Sequence, residues 1–465
     1  MTTATRSDGV VVGHGARHVA KMCGIDISRI VPTPPKRFID ASAVIRHLEK
    51  SAPSTVTIPR QLPRFIPCKN RIREYQWTSA SHAASSAHGG FIVAPCGAGK
   101  TLIGLLIAVL RGGRFIILTT RYTEQWYETL SRFFDCFGNV HVVVYGTTES
   151  SLHNTPDVVI ATYAAFNCRS KTTHLRLLKH LPYTTLILDE AHTAASPSNL
   201  AMIERMRTPR VYALTATKVR EDSELEKLEK MIGPSLVTIK RDALVANGQI
   251  ANVQCINLKV PYTTDFERAL GRPTALALHP NKMRVLRSAL AHITTQNHKT
   301  LVFCDDLFCL EWSYSLLRSS GPVIGRISMR TPFKVRDDLI RQFSSVEGAA
   351  ILLISRTGDE ALDVPNASAA IVFWNHWGSR RQIVQRIGRI SRIGASNDAA
   401  PVFIVLLADD AKELEVSDHR QSYLEEHGYQ VHTYDQQNTP YGSTLPTNVT
   451  AYMSRIVEAK KKYEA

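Results

Sequence analysis

Cysteine is sparse in this chain and forms no pattern. Eight cysteines are scattered over 465 residues, with no Cys-x-x-Cys pair and no Cys/His cluster at zinc spacing. That excludes a disulfide frame or a structural zinc as the organising device, and it points to a reducing interior. Long apolar runs are missing too: none reaches the roughly 20 residues that a bilayer span needs, so no membrane role is expected. The N-terminus is polar and has no apolar signal-peptide core, so secretion is not expected. An intracellular location follows, with nucleus and cytoplasm equally open. Acidic residues are also in deficit: 41 Asp and Glu face 56 Lys and Arg, for a formal net charge of +15. Such an excess favours a polyanionic partner, nucleic acid first and an anionic membrane surface second, although an ordinary basic enzyme would look the same.

What is present fits a globular protein, with 44% hydrophobic and 21% charged residues. The chain is too long for one core, so two domains with flanking segments are expected. Residues 1–60 lack sustained periodicity and hold turn-prone pieces such as Val31-Pro32-Thr33-Pro34-Pro35. Continuous apolar runs then recur at 91–93, 115–118, 142–145, 158–160, 186–188 and 211–214, and again at 253–260, 301–303, 351–354, 370–373 and 402–407. Runs of this kind suit strands buried on both faces of a parallel sheet. Helical patterns lie between them, at 223–231, 283–293 and 335–343. Two consecutive α/β units are the natural reading, at 61–248 and 249–430, with the boundary near Gly248–Ala251 and a tail at 431–465. The tail holds a helical stretch ending in Lys460-Lys461-Lys462, which reads as a solvated helix end.

The first unit opens with a phosphate-binding loop. Ala94-Pro95-Cys96-Gly97-Ala98-Gly99-Lys100-Thr101 follows the run Phe91-Ile92-Val93 and leads into an apolar helix. Glycines let successive N–H groups face phosphates. The lysine supplies a charge to the β and γ oxygens, the threonine hydroxyl can ligate Mg²⁺, and the helix N-terminus attracts anions. Ala94 stands where the general pattern has its first glycine. The substrate class is therefore a nucleoside triphosphate with Mg²⁺.

Asp189-Glu190-Ala191-His192 follows the strand Leu186-Ile187-Leu188, which puts two carboxylates at the carboxyl edge of the sheet. In that position Asp189 holds Mg²⁺ and Glu190 orients or deprotonates the attacking water. His192 either transmits nucleotide state or packs in the core. Leu214-Thr215-Ala216-Thr217 ends another strand, where its hydroxyls can bond the acidic segment or simply supply β propensity. In the second unit Gln385-Arg386-Ile387-Gly388-Arg389-Ile390-Ser391-Arg392 places Arg389 and Arg392 three apart, on one helix face. Two guanidiniums match a triphosphate in charge and geometry and can act as arginine fingers.

In this order the pieces resemble a superfamily-two helicase core, and in detail its XPB type, named for xeroderma pigmentosum group B. The resemblance runs from about residue 65 to 430. It rests on Pro95–Lys100, the Asp-Glu-Ala-His box, Leu214–Asp222 with its Arg220-Glu221-Asp222, Ile354–Asp359, and Gly378–Gln382 leading into Gln385–Arg389. It implies two tandem RecA-like domains, each a parallel sheet flanked by helices, with an ATP cleft between them. It also implies that Gln76 contacts the adenine end of ATP, that Asp363 lies near the ribose, and that Gln385 supports the nucleotide or the water. Thr119, Arg121, Thr162 and Ser355 match segments that grip the nucleic-acid backbone, and Arg220 matches the residue implicated in duplex opening. Such contacts suit a motor indifferent to sequence. Trp374 and Trp377 are candidates for stacking on bases, with a buried role equally open for Trp374.

The family's damage-recognition region finds little room in the first 60 residues, and the extensions that dock eukaryotic XPB into a transcription complex find none. Damage sensing by this chain alone is therefore not expected, and a compact viral or microbial version is the nearest likeness. The resemblance implies an ATP-dependent DNA helicase, moving 3′ to 5′, in transcription or repair. The rivals are a duplex DNA translocase that remodels without full unwinding, and a non-motor ATPase scaffold with partners in a transcription or repair complex. RNA stays open as a substrate, because backbone contacts need not reject a 2′-OH.

Overall fold

The computed structural model describes residues 66–67, 72–120, 123–135, 140–143, 156–167, 183–206, 208–216, 223–319, 321–356, 364, 366–374, 380–391, 400–435 and 449–464. Nine strands lie in the amino-terminal half: β1 (Ile66–Pro67), β2 (Gly90–Val93), β3 (Phe115–Thr119), β4 (Phe134–Asp135), β5 (Val140–Val143), β6 (Val158–Thr162), β7 (Thr185–Leu188), β8 (Arg210–Thr215) and β9 (Ser235–Thr238). Seven follow: β10 (Gln254–Val260), β11 (Lys299–Cys304), β12 (Val323–Ile327), β13 (Ala350–Ile354), β14 (Ala369–Trp374), β15 (Val402–Ala408) and β16 (Val431–Asp435).

They build two seven-stranded sheets, ordered β5-β6-β3-β7-β8-β2-β9 and β12-β13-β11-β14-β15-β10-β16, plus a small antiparallel pair of β1 with β4. The strand registers within both large sheets are parallel. Every residue of β3, β6, β7, β11, β13, β14 and β15 is buried, as strands covered by helices on both faces require. Two parallel-sheet α/β layers flanked by helices are what the alternating apolar runs predict.

The chain divides into two compact units. One comprises the described residues up to Ile72, Ala108–Asp189 and Thr193–Val211; the other comprises Arg73–Ile107, Glu190–His192 and Tyr212–Ala465. In the second, alternate strand residues serve opposite faces of the β12–β16 sheet. Val302, Ile371, Phe373, Ile404 and Leu406 pack under the helices Pro280–Thr295, Leu307–Leu317 and Val449–Glu464. Leu301, Phe303, Val372, Phe403 and Val405 pack under Arg380–Ile390 and Ala411–Glu426.

Trp374 belongs to the first of these cores and is 3% exposed, which settles it as a buried residue. The helix Val449–Glu464 also seals that face, through Met453 and Ile456. Near its end Lys460 folds back to donate to the Leu270 carbonyl and to Thr274 Oγ1, while Lys461 and Lys462 are exposed.

One buried ion pair ties the helices of this unit. Lys282 Nζ, fully buried, donates to Glu413 Oε1 at 2.7 Å, and Glu413 Oε2 accepts from the Ala408 amide at 3.1 Å. Lys282 Nζ also lies 5.6 Å from the Trp374 ring centre. The Asp410 carboxylate caps the Ala411–Glu426 helix by accepting from the Glu413 amide at 3.1 Å.

Candidate nucleotide site

The phosphate loop follows β2 and turns on two glycines in the left-handed region, Gly97 at φ +84° and Gly99 at φ +80°, a conformation that side chains disfavour. The helix Lys100–Arg111 begins directly after it. Helix Glu74–Ser85 holds the loop from one side: the Tyr75 hydroxyl donates to the Ala98 carbonyl at 2.8 Å, and Gln76 Nε2 donates to the same oxygen at 3.0 Å. Gln76 is buried, and its Oε1 accepts from the Arg73 amide at 3.1 Å. Lys100 Nζ rests on the Ala94 carbonyl at 3.3 Å. Pro95, Cys96, Lys100 and Thr101 are half-buried, Ala98 is buried and Gly97 is exposed.

The helix Arg380–Ile390 meets this loop within the same compact unit. A Cβ placed on Gly388 would lie 2.3 Å from Cys96 Cβ, so only a bare α-carbon allows the contact. A Cβ on Gly97 would touch Ser391 and Ile250 at 3.8 and 3.5 Å. The Ala251 amide donates to the Ser391 carbonyl at 3.0 Å, tying the segment after the helix Arg241–Ala246 to the same corner. Gln385 and Arg389, four apart on that helix, are both half-buried. Arg386 points the other way: it is fully buried, donates from Nη2 to Asp305 Oδ1 at 2.6 Å, and stacks over Phe303 with its guanidinium carbon 4.6 Å from the ring centre. Its charge adds to burial in lowering the Arg420 pKa to about 10.

The acidic box lies at the end of β7. Asp189 Oδ2 accepts from Thr119 Oγ1 at 3.1 Å and from Trp126 Nε1 at 3.0 Å, while its carbonyl accepts from the Tyr163 hydroxyl at 2.7 Å. Two neutral donors on one oxygen fix the carboxylate's direction, as partners of metal-ligating carboxylates do. Glu190 adopts φ +51°, left-handed backbone that is uncommon for a non-glycine residue, and its Oε2 lies 3.4 Å from His192 Nδ1. The β8 end is fixed to the loop: the Ala94 amide donates to the Thr215 carbonyl at 3.0 Å.

The loop's own donors fit a triphosphate, with glycines at a helix start, a lysine and a threonine; in the other unit, Asp189 offers an oriented carboxylate of the kind that suits magnesium. Among the described residues no group of three or more His, Cys, Asp or Glu could hold a metal ion. Magnesium needs no such cage, because one or two protein ligands with phosphate oxygens suffice.

The residues expected at the nucleic-acid backbone sit at strand ends. Thr119 is fully buried and committed to Asp189. Thr162 is buried and accepts from the Ala165 amide at 3.2 Å. Ser355 is buried, its amide donating to the Ile327 carbonyl at 2.9 Å, and its hydroxyl has no hydrogen-bond partner. Arg121, Arg220, Asp363, Trp377 and Arg392 lie outside the described residues. Sequence reasoning missed Tyr75, Trp126, Arg386 and Asp305. Each acts through a partner distant in the chain, which local pattern does not reveal.

Residues 244–452 match the ERCC3/RAD25/XPB C-terminal helicase family. Residues 69–220 match the family described as type III restriction enzyme, res subunit. Curated relatives include the XPB/SSL2 helicase/translocase subunit of general transcription and DNA repair factor IIH from Saccharomyces cerevisiae, 28% identical over 391 residues that make up 80% of this chain and 46% of that protein. The XPB subunit of Antonospora locustae is 30% identical over 78% of this chain and 54% of its own length. The chain thus spans about half the length of these XPB relatives.

Among solved structures, S. cerevisiae Dbp5 bound to RNA and ADP BeF3 shares the fold with a TM-score of 0.58 at 14% identity, covering 83% of this chain and 93% of that one. The type ISP restriction-modification enzyme LlaBIII bound to DNA gives 0.57 at 14% identity, over 84% of this chain and 33% of that one. Both sheets therefore share the RecA-like fold of these structures. Among the described residues no helix is long and apolar enough to cross a membrane.

Proposed function

We propose that this chain is the ATPase core of an XPB-type DNA helicase, with RecA-like domains at 61–248 and 249–430. It couples ATP hydrolysis to 3′-to-5′ unwinding in transcription or DNA repair, inside the cell, with partners in a transcription or repair complex. The observation that supports this reading most is the apposition of the phosphate loop to the Arg380–Ile390 helix through Cys96 and Gly388. It puts the loop that binds a triphosphate beside the helix that carries its guanidinium.

In this proposal the amides of Gly97–Gly99 and the Lys100 ammonium hold the phosphates, and Thr101 and Asp189 hold the magnesium. Bound ATP–Mg²⁺ supplies a transferable γ-phosphoryl group and the charge that offsets it. Glu190, in a DEAH box, orients the attacking water or takes its proton. Arg389 and Arg392 stabilise charge on the transferring group, and Gln385 supports it. Gln76 and Asp363 face the nucleoside. The segments of Thr119, Arg121, Thr162, Arg220 and Ser355 follow the nucleic-acid track, with the buried Thr119, Thr162 and Ser355 shaping the strand ends rather than touching the phosphates themselves.

The test is ATP hydrolysis measured with single-stranded DNA, duplex DNA and RNA, in the wild-type chain and in Arg389→Ala and Arg392→Ala. DNA should stimulate hydrolysis. Each variant should lose about 10³–10⁵ of the stimulated rate while keeping near-normal binding of a non-hydrolysable ATP analogue. Unchanged hydrolysis in both variants would remove the finger assignment, and stimulation by RNA alone would remove the DNA assignment. A duplex translocase is the second reading, favoured because the curated relatives are named helicase/translocase. Strand-displacement and triplex-displacement assays separate the two.

A further inference from the structure

A groove of about 810 Å³ runs along the helix Pro280–Thr295, bordered by the Leu307–Leu317 and Val449–Glu464 helices and by the starts of β12 and β13. Those helices cover one face of the β12–β16 sheet, and the Arg380–Ile390 helix covers the opposite face. The groove is therefore separate from the nucleotide site. Its walls are apolar, with Met283, Leu317 and Val323 among them, and three arginines line it: Arg284, Arg287 and Arg455. Among the described residues no Asp or Glu lines it.

The charge there is unbalanced. Some other arginines of the same unit have carboxylates, among them Arg272 with Asp410, Arg326 with Glu311 and Arg386 with Asp305. None of the three groove arginines is paired with a described carboxylate. Arg284 Nε is buried with no hydrogen-bond partner, and burial lowers the proton affinity of that guanidinium. Arg284 as a whole is half-buried, and an arriving carboxylate would give its partly covered guanidinium a charged partner. We propose that this groove docks an acidic peptide segment of a partner protein, its carboxylates meeting Arg284, Arg287 and Arg455 and its apolar side chains filling the walls.

A peptide fits better than nucleic acid. Recognition by an apolar groove rimmed with charge is a recurrent way to hold a short amphipathic segment. A phosphodiester chain has no apolar side group for Met283 and Leu317. Bases need stacking platforms, and Tyr452 is the only aromatic residue among the groove's lining residues.

The test sorts a display library of random 12-residue peptides on the full chain. It then counter-sorts against Arg287→Glu/Arg455→Glu, a double substitution at two exposed side chains that should leave folding and ATP hydrolysis unchanged. Peptides rich in Asp or Glu and carrying apolar anchors should bind the wild-type chain. They should lose at least ~10-fold in affinity for the variant, and a version with its anchors changed to Ser should lose a comparable factor. The proposal is overturned if no sorted peptide distinguishes the two proteins, or if binding survives loss of the anchors and follows charge alone. It is also overturned if a single-stranded oligonucleotide loses as much affinity for the variant as the peptides do, which would assign the groove to nucleic acid. Failure of the ATPase assignment would leave these outcomes untouched.

Discussion

Gly388→Ala should cut ATP hydrolysis by about 10²-fold. Alanine is the better helix former by about 1 kcal/mol, so the substitution should hold or raise the melting temperature of the Arg380–Ile390 helix on propensity alone. Its new methyl, however, would sit 2.3 Å from Cys96 Cβ, a distance that forces one backbone to move. The moving part is a phosphate loop turned on two left-handed glycines. Displacement of about 1 Å in a positioning element can cost such a factor in rate. Adding Cys96→Gly removes the other half of the clash and should restore most of the activity. Wild-type kcat and KM in Gly388→Ala would mean that the working enzyme never brings loop and helix this close.

Lys282→Ala should destabilise the carboxyl-terminal sheet by about 3–5 kcal/mol, the usual cost of stranding one partner of a buried ion pair. Glu413 would then keep its bond from the Ala408 amide but lose the ammonium 2.7 Å away. The double substitution Lys282→Met/Glu413→Gln should recover much of that loss, because glutamine retains an acceptor for Ala408 and carries no charge. Urea denaturation of the three proteins gives the comparison directly. If Lys282→Ala shifts the midpoint no more than a surface lysine substitution does, the pair contributes no net stability.

The central strands were legible because each is a continuous apolar run with helical patterns on either side. β3, β6, β7, β11, β13, β14 and β15 are buried throughout. The strands that escaped notice lie toward the margins of the sheets. β9 and β16 are half-buried or exposed throughout, and β12 breaks its apolar residues with Gly325 and Arg326. Side chains that face solvent leave no hydrophobic period to find. The loop, the acidic box and the arginine helix stood out because they carry, at short spacing, the residue types that phosphate chemistry would require. Their supports were not. Trp126 lies 63 residues before Asp189, and Asp305 lies 81 before Arg386. The requirement for glycine at 388 becomes visible only when Cys96 is placed against it.

The hydrogen bond from Trp126 to Asp189 gives the chain a built-in optical reporter. Indole emission responds to charge at its nitrogen, and Trp126 Nε1 is held 3.0 Å from the carboxylate assigned to magnesium. Because that ring is 1% exposed, water contributes little to its spectrum. Titrating magnesium with nucleotide should move its fluorescence, and Trp126→Phe should abolish that component, so occupancy of the acidic box can be followed without a label.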